Sequence, residues 1–128
     1  MLEQLLELKK RREARLRQKL AAGNQRYERL RHNLNSLANE RKSLQKSWAQ
    51  LGQKGCGRLA RERLHALKRE LEEFFQRDKF LDEEIASLEG ECAQWGQERI
   101  VLQQQIQQMR IDQEKLEWVL NEGHDAYS

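Results

Sequence analysis

Apolar residues recur along this chain at alternating steps of four and three, in two long series without a slip. The first runs Leu2, Leu6, Lys9, Glu13, Leu16, Leu20, Gly23, Tyr27, Leu30, Leu34, Leu37, Arg41, Leu44, Trp48, Leu51, with eleven of fifteen positions apolar. The second runs Ala60, Leu64, Leu67, Leu71, Phe74, Asp78, Leu81, Ile85, Leu88, Cys92, Trp95, Arg99, Leu102, Ile106, Met109, Gln113, Leu116, Leu120, with fifteen of eighteen apolar. A 3.5-residue period held this long predicts helices that supercoil against a partner helix. Composition agrees. The 128 residues include no proline and only six Val plus Ile, which disfavours sheets, while 20 Leu and 15 Gln join many Glu, Lys and Arg as good helix formers. Disorder, the other option for so polar a chain, lacks an ordered apolar repeat.

Gly52, Gly55 and Gly57 separate the two series, and the seam spacing jumps there from Leu51 to Ala60. Glycines at that density supply a turn. The expected fold is therefore all-α: a single two-helix antiparallel coiled-coil hairpin. Helix 1 spans about 2–51, a Gly-rich turn 52–57, helix 2 about 58–121, and a frayed tail 122–128. Each arm is expected to be roughly 75 Å long at 1.5 Å per residue. Residues 1–70 carry 19 Lys+Arg against 7 Asp+Glu, and residues 71–128 carry 5 against 14, so the arms are electrically complementary. Folding back within one chain satisfies both without a concentration cost, and a monomer is expected in isolation.

The flanking charges bear on register. Facing layers can pair so that residue numbers sum to about 108 or about 115. The first sets Lys9 against Arg99 in the seam. The second joins Arg26 to Glu91, Lys19 to Glu98, Arg31 to Asp82, Glu40 to Arg77 and Glu3 to Arg110, and sets Gly23 opposite Cys92 beside the bulk of Trp95. Like charges within a seam cost more than each exposed pair contributes, so the second register is expected.

Several function classes fall away. No C-x-x-C or His pair has zinc spacing, so no metal is expected. There is no nucleophile elbow, phosphate-cradling loop or H-E-x-x-H, so neither enzyme activity nor a cofactor is expected. No apolar run is long enough to span a membrane, and the N-terminal order of charge and apolar residues is wrong for a secretory signal. A cytoplasmic location is expected. Cys56 falls in the turn and Cys92 in the seam, too far apart to bridge.

Two regions suit partners. Residues 41–70 hold nine Lys+Arg against two Glu, and residues 1–22 concentrate charge in Lys9, Lys10, Arg11, Arg12, Arg15, Arg17 and Lys19. These are either plain solvated faces or electrostatic docks for an acidic partner. Nucleic acid is not expected, because no aromatic residues are interleaved for base stacking. Apolar residues off the seam mark the same terminal pole: Leu5 and Leu8 near one terminus, and Ile100, Val101, Ile111, Trp118 and Val119 near the other. They either thicken the core locally or form a protein contact. Phe75 and Phe80 make a smaller off-seam pair.

The opening MLEQLLELKKRREARLRQKL and the closing Val119-Leu120 with Asp125, Ala126, Tyr127 and Ser128, on a proline-free hairpin, resemble the FliJ/YscO family. These are central-stalk proteins of type III secretion systems, and the likeness is to the short injectisome members. The resemblance implies a stalk whose terminal pole enters the hexameric secretion ATPase and promotes assembly or ATP turnover. Its other end would reach the ring-shaped cytoplasmic domain of the export gate, and family members also handle secretion chaperones. By position, Leu5, Leu8, Lys10, Arg11, Arg12, Arg15, Ile111 and Trp118 would form the ATPase end. Trp48, Lys54, Arg58, Arg61 and Arg63 would form the gate or chaperone end. The alternative is a cytosolic coiled-coil scaffold or adaptor that dimerises and touches no ATPase.

Overall fold

Straight-stemmed residues and the absence of proline let both series run as uninterrupted helices. In the computed structural model, residues 1–54 and 61–127 are described, with backbone alone at 52–54 and 124–127. Helix α1 spans Leu2–Lys54 and α2 spans Arg61–Tyr127. Each carries a glutamate in its first turn (Glu3 and Glu62), where the positive end of the helix dipole favours it.

Two boundaries differ from expectation. α1 continues through Gly52 to Lys54, and α2 continues through Gly123 to Tyr127 where a frayed tail was expected. No described glycine adopts positive φ. A lone glycine costs a helix only about 1 kcal/mol, and neither stretch contains a proline to stop propagation. The rest of the expected turn, with Cys56 and Arg58, lies outside the described residues.

The helices pack against each other in two units. One contains Met1–Glu28 and Ala93–Ser128; the other contains Arg29–Cys92. Within the first, Lys9 meets Asp112 while Gly23 meets Trp95, so numbers rise on one strand of the pair as they fall on the other. Within the second, Glu40 meets Arg77 while Trp48 stacks on Phe74. Pairing is antiparallel in both.

The heptad series coincides with the covered stripe. Leu6, Leu16, Leu20, Leu30, Leu34, Leu37 and Leu44 are half-buried on α1, as are Leu67, Leu71, Ile85, Leu88, Leu102 and Leu116 on α2. Leu81 is fully covered and Ile106 nearly so. A seam only two helices wide leaves its other layers open at the flanks. Leu2, Leu51, Leu64 and Arg99 depart from the pattern and are exposed. The first three lie within a few residues of described helix ends, where layers stop. At Arg99 the seam space beside Gly23 is already filled by the Trp95 ring.

Register is the main correction. A sum near 115 would set Trp48 against Leu67 and Arg41 against Phe74. Instead Trp48 stacks on Phe74, with ring centroids 4.9 Å apart, and Arg41 binds Asp78. Each unit is thus displaced by about one heptad from the expected pairing. Glu40 does meet Arg77 as expected, while Arg110 lies beside Glu13 and not Glu3. Gly23 meets Trp95 itself. The cause lies in the polar seam positions. At a sum near 115, Lys9 faces Ile106, Glu13 faces Leu102 and Asp78 faces Leu37. In the observed pairing Lys9 meets Asp112, Glu13 accepts from Gln113 with Arg110 beside it, and Asp78 meets Arg41, so each polar seam residue has a polar partner.

Candidate functional site

The unit built from Met1–Glu28 and Ala93–Ser128 contains most of the residues expected to dock a partner. Along α1, Leu5, Leu8, Arg12, Arg15, Lys19 and Ala22 follow at steps of three and four, so they share one helix face beside the seam. All are exposed. Lys10 and Arg11 are exposed on neighbouring faces. On α2, Ile111 and Trp118 stand seven residues apart, two turns along one stripe, and Trp118 is 62% exposed. The local-core reading of Leu5, Leu8 and Trp118 is not what the structure adopts, since all three remain open.

Polar contacts beneath these residues hold the two helices in register. Lys9 Nζ donates to Asp112 Oδ2 at 3.2 Å, and Gln108 Nε2 donates to Asp112 Oδ1 at 2.9 Å. The Gln108 hydrogen bond, followed by that of Lys9, holds the Asp112 carboxyl below its usual range. Gln113 Nε2 donates to Glu13 Oε2 at 2.8 Å, Arg17 donates twice to Glu13 Oε1, and Arg110 Nε lies 3.7 Å away. Glu13 is lowered as well, first by the Gln113 hydrogen bond, with burial opposing it.

A groove of about 610 Å³ opens in this unit, lined by Lys19, Ala22, Trp95, Gln97, Glu98, Val101 and Leu102. Gly23 creates it. The Trp95 ring lies so close on the glycine backbone that any Cβ would fall inside it. The Trp95 indole N–H is buried there without a hydrogen-bond partner. Val101, in the groove wall, is 51% exposed. A glycine at a seam position with the bulk of Trp95 beside its facing layer was the sequence sign of this contact; the expected register set Gly23 opposite Cys92, three residues short of the tryptophan it meets.

The second unit contains the described part of the expected gate end. Trp48 is half-buried and stacked on Phe74, so much of its ring is core; its edge borders a groove of about 320 Å³ with Leu44, Leu51, Glu70 and Glu73. Arg61 and Arg63 are exposed in the first turn of α2. The Lys54 side chain and Arg58 lie outside the described residues. Phe75 and Phe80 are exposed, with the Arg77 guanidinium 5.5 Å over the Phe80 ring. Cys92 is a half-buried free thiol.

Among the described residues, no three His, Cys, Asp or Glu side chains are grouped to hold a metal ion, and no helix is long and apolar enough to cross a membrane. No family model matches the chain, and no curated protein or solved structure matches it.

Proposed function

We propose that this chain is the central stalk of a type III secretion ATPase complex. In this reading, the unit carrying both chain ends enters the pore of the hexameric ATPase and promotes ring assembly and ATP turnover. The region around Arg61 and Arg63 links the ATPase to the export gate. The work is coupling without chemistry: an asymmetric helix pair inside a six-fold ring contacts some subunits more than others and biases their states.

One observation carries the reading. Leu5, Leu8, Ile111 and Trp118 are exposed, next to Lys10, Arg11, Arg12 and Arg15, on a unit whose two-helix seam is complete without them. Open apolar side chains amid like charges suit a protein partner with an acidic, partly apolar lining. The resemblance of the opening and closing segments to the stalk family supports the same assignment.

The decisive experiment is ATP turnover by the secretion ATPase of the same organism, with and without stoichiometric chain, alongside size-exclusion of the mixture. Co-elution with a larger ring, or faster turnover, supports the stalk. A folded chain that neither shifts the ATPase nor stimulates it favours the scaffold.

A further inference from the structure

The side of α2 that faces away from the seam is free of charge over about five turns. Between 93 and 111, the three heptad positions opposite the seam hold only Ala, Gln, Ile and Val, and every one is exposed. Yet 45 of the 128 residues are charged, and the matching face of α1 in the same unit carries Glu7, Arg11, Arg15 and Glu28. A helix face that simply meets water is ordinarily studded with charge. Ile100, Val101 and Ile111 lie on this face and are 56%, 51% and 37% exposed; Trp118, 62% exposed, extends it two turns further.

The face is complementary to itself when two copies of α2 run antiparallel with facing residue numbers summing to about 211. Ile111 of one copy then falls between Ile100 and Val101 of the other, and Trp118 falls over Ala93, whose short side chain leaves room for the ring. A two-fold axis repeats both contacts. Gln104 and Gln107 meet at that axis, where a charge would face its own copy; an amide both donates and accepts, so it can bond there. The first charges on the face, Glu114 and Lys115, fall against Gln97, so no like charges are opposed.

We propose that a second copy of this chain pairs with the outer face of α2, the two helices antiparallel and Ile111 of each seated between Ile100 and Val101 of the other. A face without charge offers a strongly acidic or basic partner nothing to pair with, whereas its own copy supplies the same apolar and amide groups in register. From Ala93 to Trp118 it runs about 38 Å and sets twelve residues a side, fewer than the roughly 20–30 of a standard interface, so the dimer is weak and reversible. The charge balance between the arms, which points to a monomer, concerns the seam and leaves this face unpartnered. Pairing covers Ile111 and Trp118 and so withholds them from any other partner. It does not rest on the ATPase assignment, and its test needs no ATPase.

The test is sedimentation equilibrium of the full chain from low to high micromolar concentration in reducing buffer, with helicity checked for each variant. The wild type is expected to dimerise reversibly. Ile111→Glu and Val101→Lys each set a charge against an apolar neighbour and are expected to weaken the dimer at least tenfold. The double variant Ile111→Glu/Val101→Lys brings opposite charges together across an antiparallel pair and is expected to dimerise more tightly than either single. In a parallel pair each new charge would face its own copy, so this rescue also reports orientation. A chain that stays monomeric throughout, a dimer that neither single variant weakens, or a double variant no tighter than the singles would overturn the proposal.

Discussion

Arg41 and Asp78 lock one layer of the second unit. Arg41 Nε donates to Asp78 Oδ1 at 2.9 Å and Nη2 donates to Oδ2 at 3.3 Å, a forked pairing of guanidinium and carboxylate. A third donor, Nη1, reaches Asp82 Oδ1 at 2.9 Å, and Gln45 adds a longer bond to Asp78. Both partners occupy heptad positions that leucine would otherwise fill, so the pair fixes register where an all-leucine seam would tolerate a slip of seven residues.

Removing one partner is therefore expected to be worse than removing both. Asp78→Leu leaves Arg41 half-buried with only the exposed Asp82, and lowers the thermal midpoint. The double variant Arg41→Leu/Asp78→Leu raises the midpoint above that of the single, because a leucine layer needs no compensating charge. Its register, however, is less strictly held. Circular dichroism melts read the first effect, and distances between spin labels on α1 and α2 read the second. A double variant that melts below Asp78→Leu contradicts this account.

Gly23→Ala is expected to destabilise by about 1–3 kcal/mol, since the new methyl overlaps the Trp95 ring and forces it out of place. The cost belongs to the pair. In a Trp95→Leu background the same substitution should cost much less, and a double-mutant cycle by urea denaturation measures the difference. Equal costs in both backgrounds would mean that the ring is not what excludes a side chain there.

Stability should fall in acid. Glu13, Asp78 and Asp112 all have carboxyls lowered from ordinary values of 4.5, 3.8 and 3.8 by hydrogen bonds to Gln113, Arg41 and Gln108 respectively. A carboxyl depressed in the folded state contributes stability above its unfolded value and loses that contribution as pH falls through the folded one. The thermal midpoint should thus be level from neutral pH to about 5 and decline below about 4. Arg41 is raised, first by its Asp78 hydrogen bond, so its contribution is complete throughout the acid and neutral range and adds no slope there. Glu13→Gln is expected to flatten the acid limb. Melts over that range decide it.

Periodicity made the helices, the seam and the open apolar residues legible, because a half-buried stripe needs only spacing to be recognised. Leu5, Leu8, Ile111 and Trp118 lie off that stripe and are open in the structure. Register was harder to read, because flanking pairs contribute only a few tenths of a kcal/mol each and several alignments satisfy some of them. Glu40 and Arg77 pair as the sequence suggests, yet the layers around them are a heptad away from the preferred alignment. The better guide was the polar residues inside the seam. Lys9, Glu13 and Arg41 on one helix find Asp112, Gln113 and Asp78 on the other. At the groove the expected register came close, setting Gly23 beside Trp95 and Lys19 by Glu98, but spacing alone does not show that the ring packs directly over the glycine.

Charge reversal of Arg11, Arg12 and Arg15 tests the proposed ATPase contact most directly. All three are exposed, and none makes a seam contact that folding needs. The triple Glu variant should keep wild-type helicity and melting behaviour. Its association with the secretion ATPase should fall at least tenfold, and the remaining binding should lose much of its salt dependence, because exposed charges act through a field that salt screens. Trp118→Ser should weaken the same contact without changing its salt dependence, since it removes apolar area and no charge. Binding titrations at two ionic strengths separate the two effects. If both variants bind as the wild type does, the unit carrying the chain ends is not the ATPase dock.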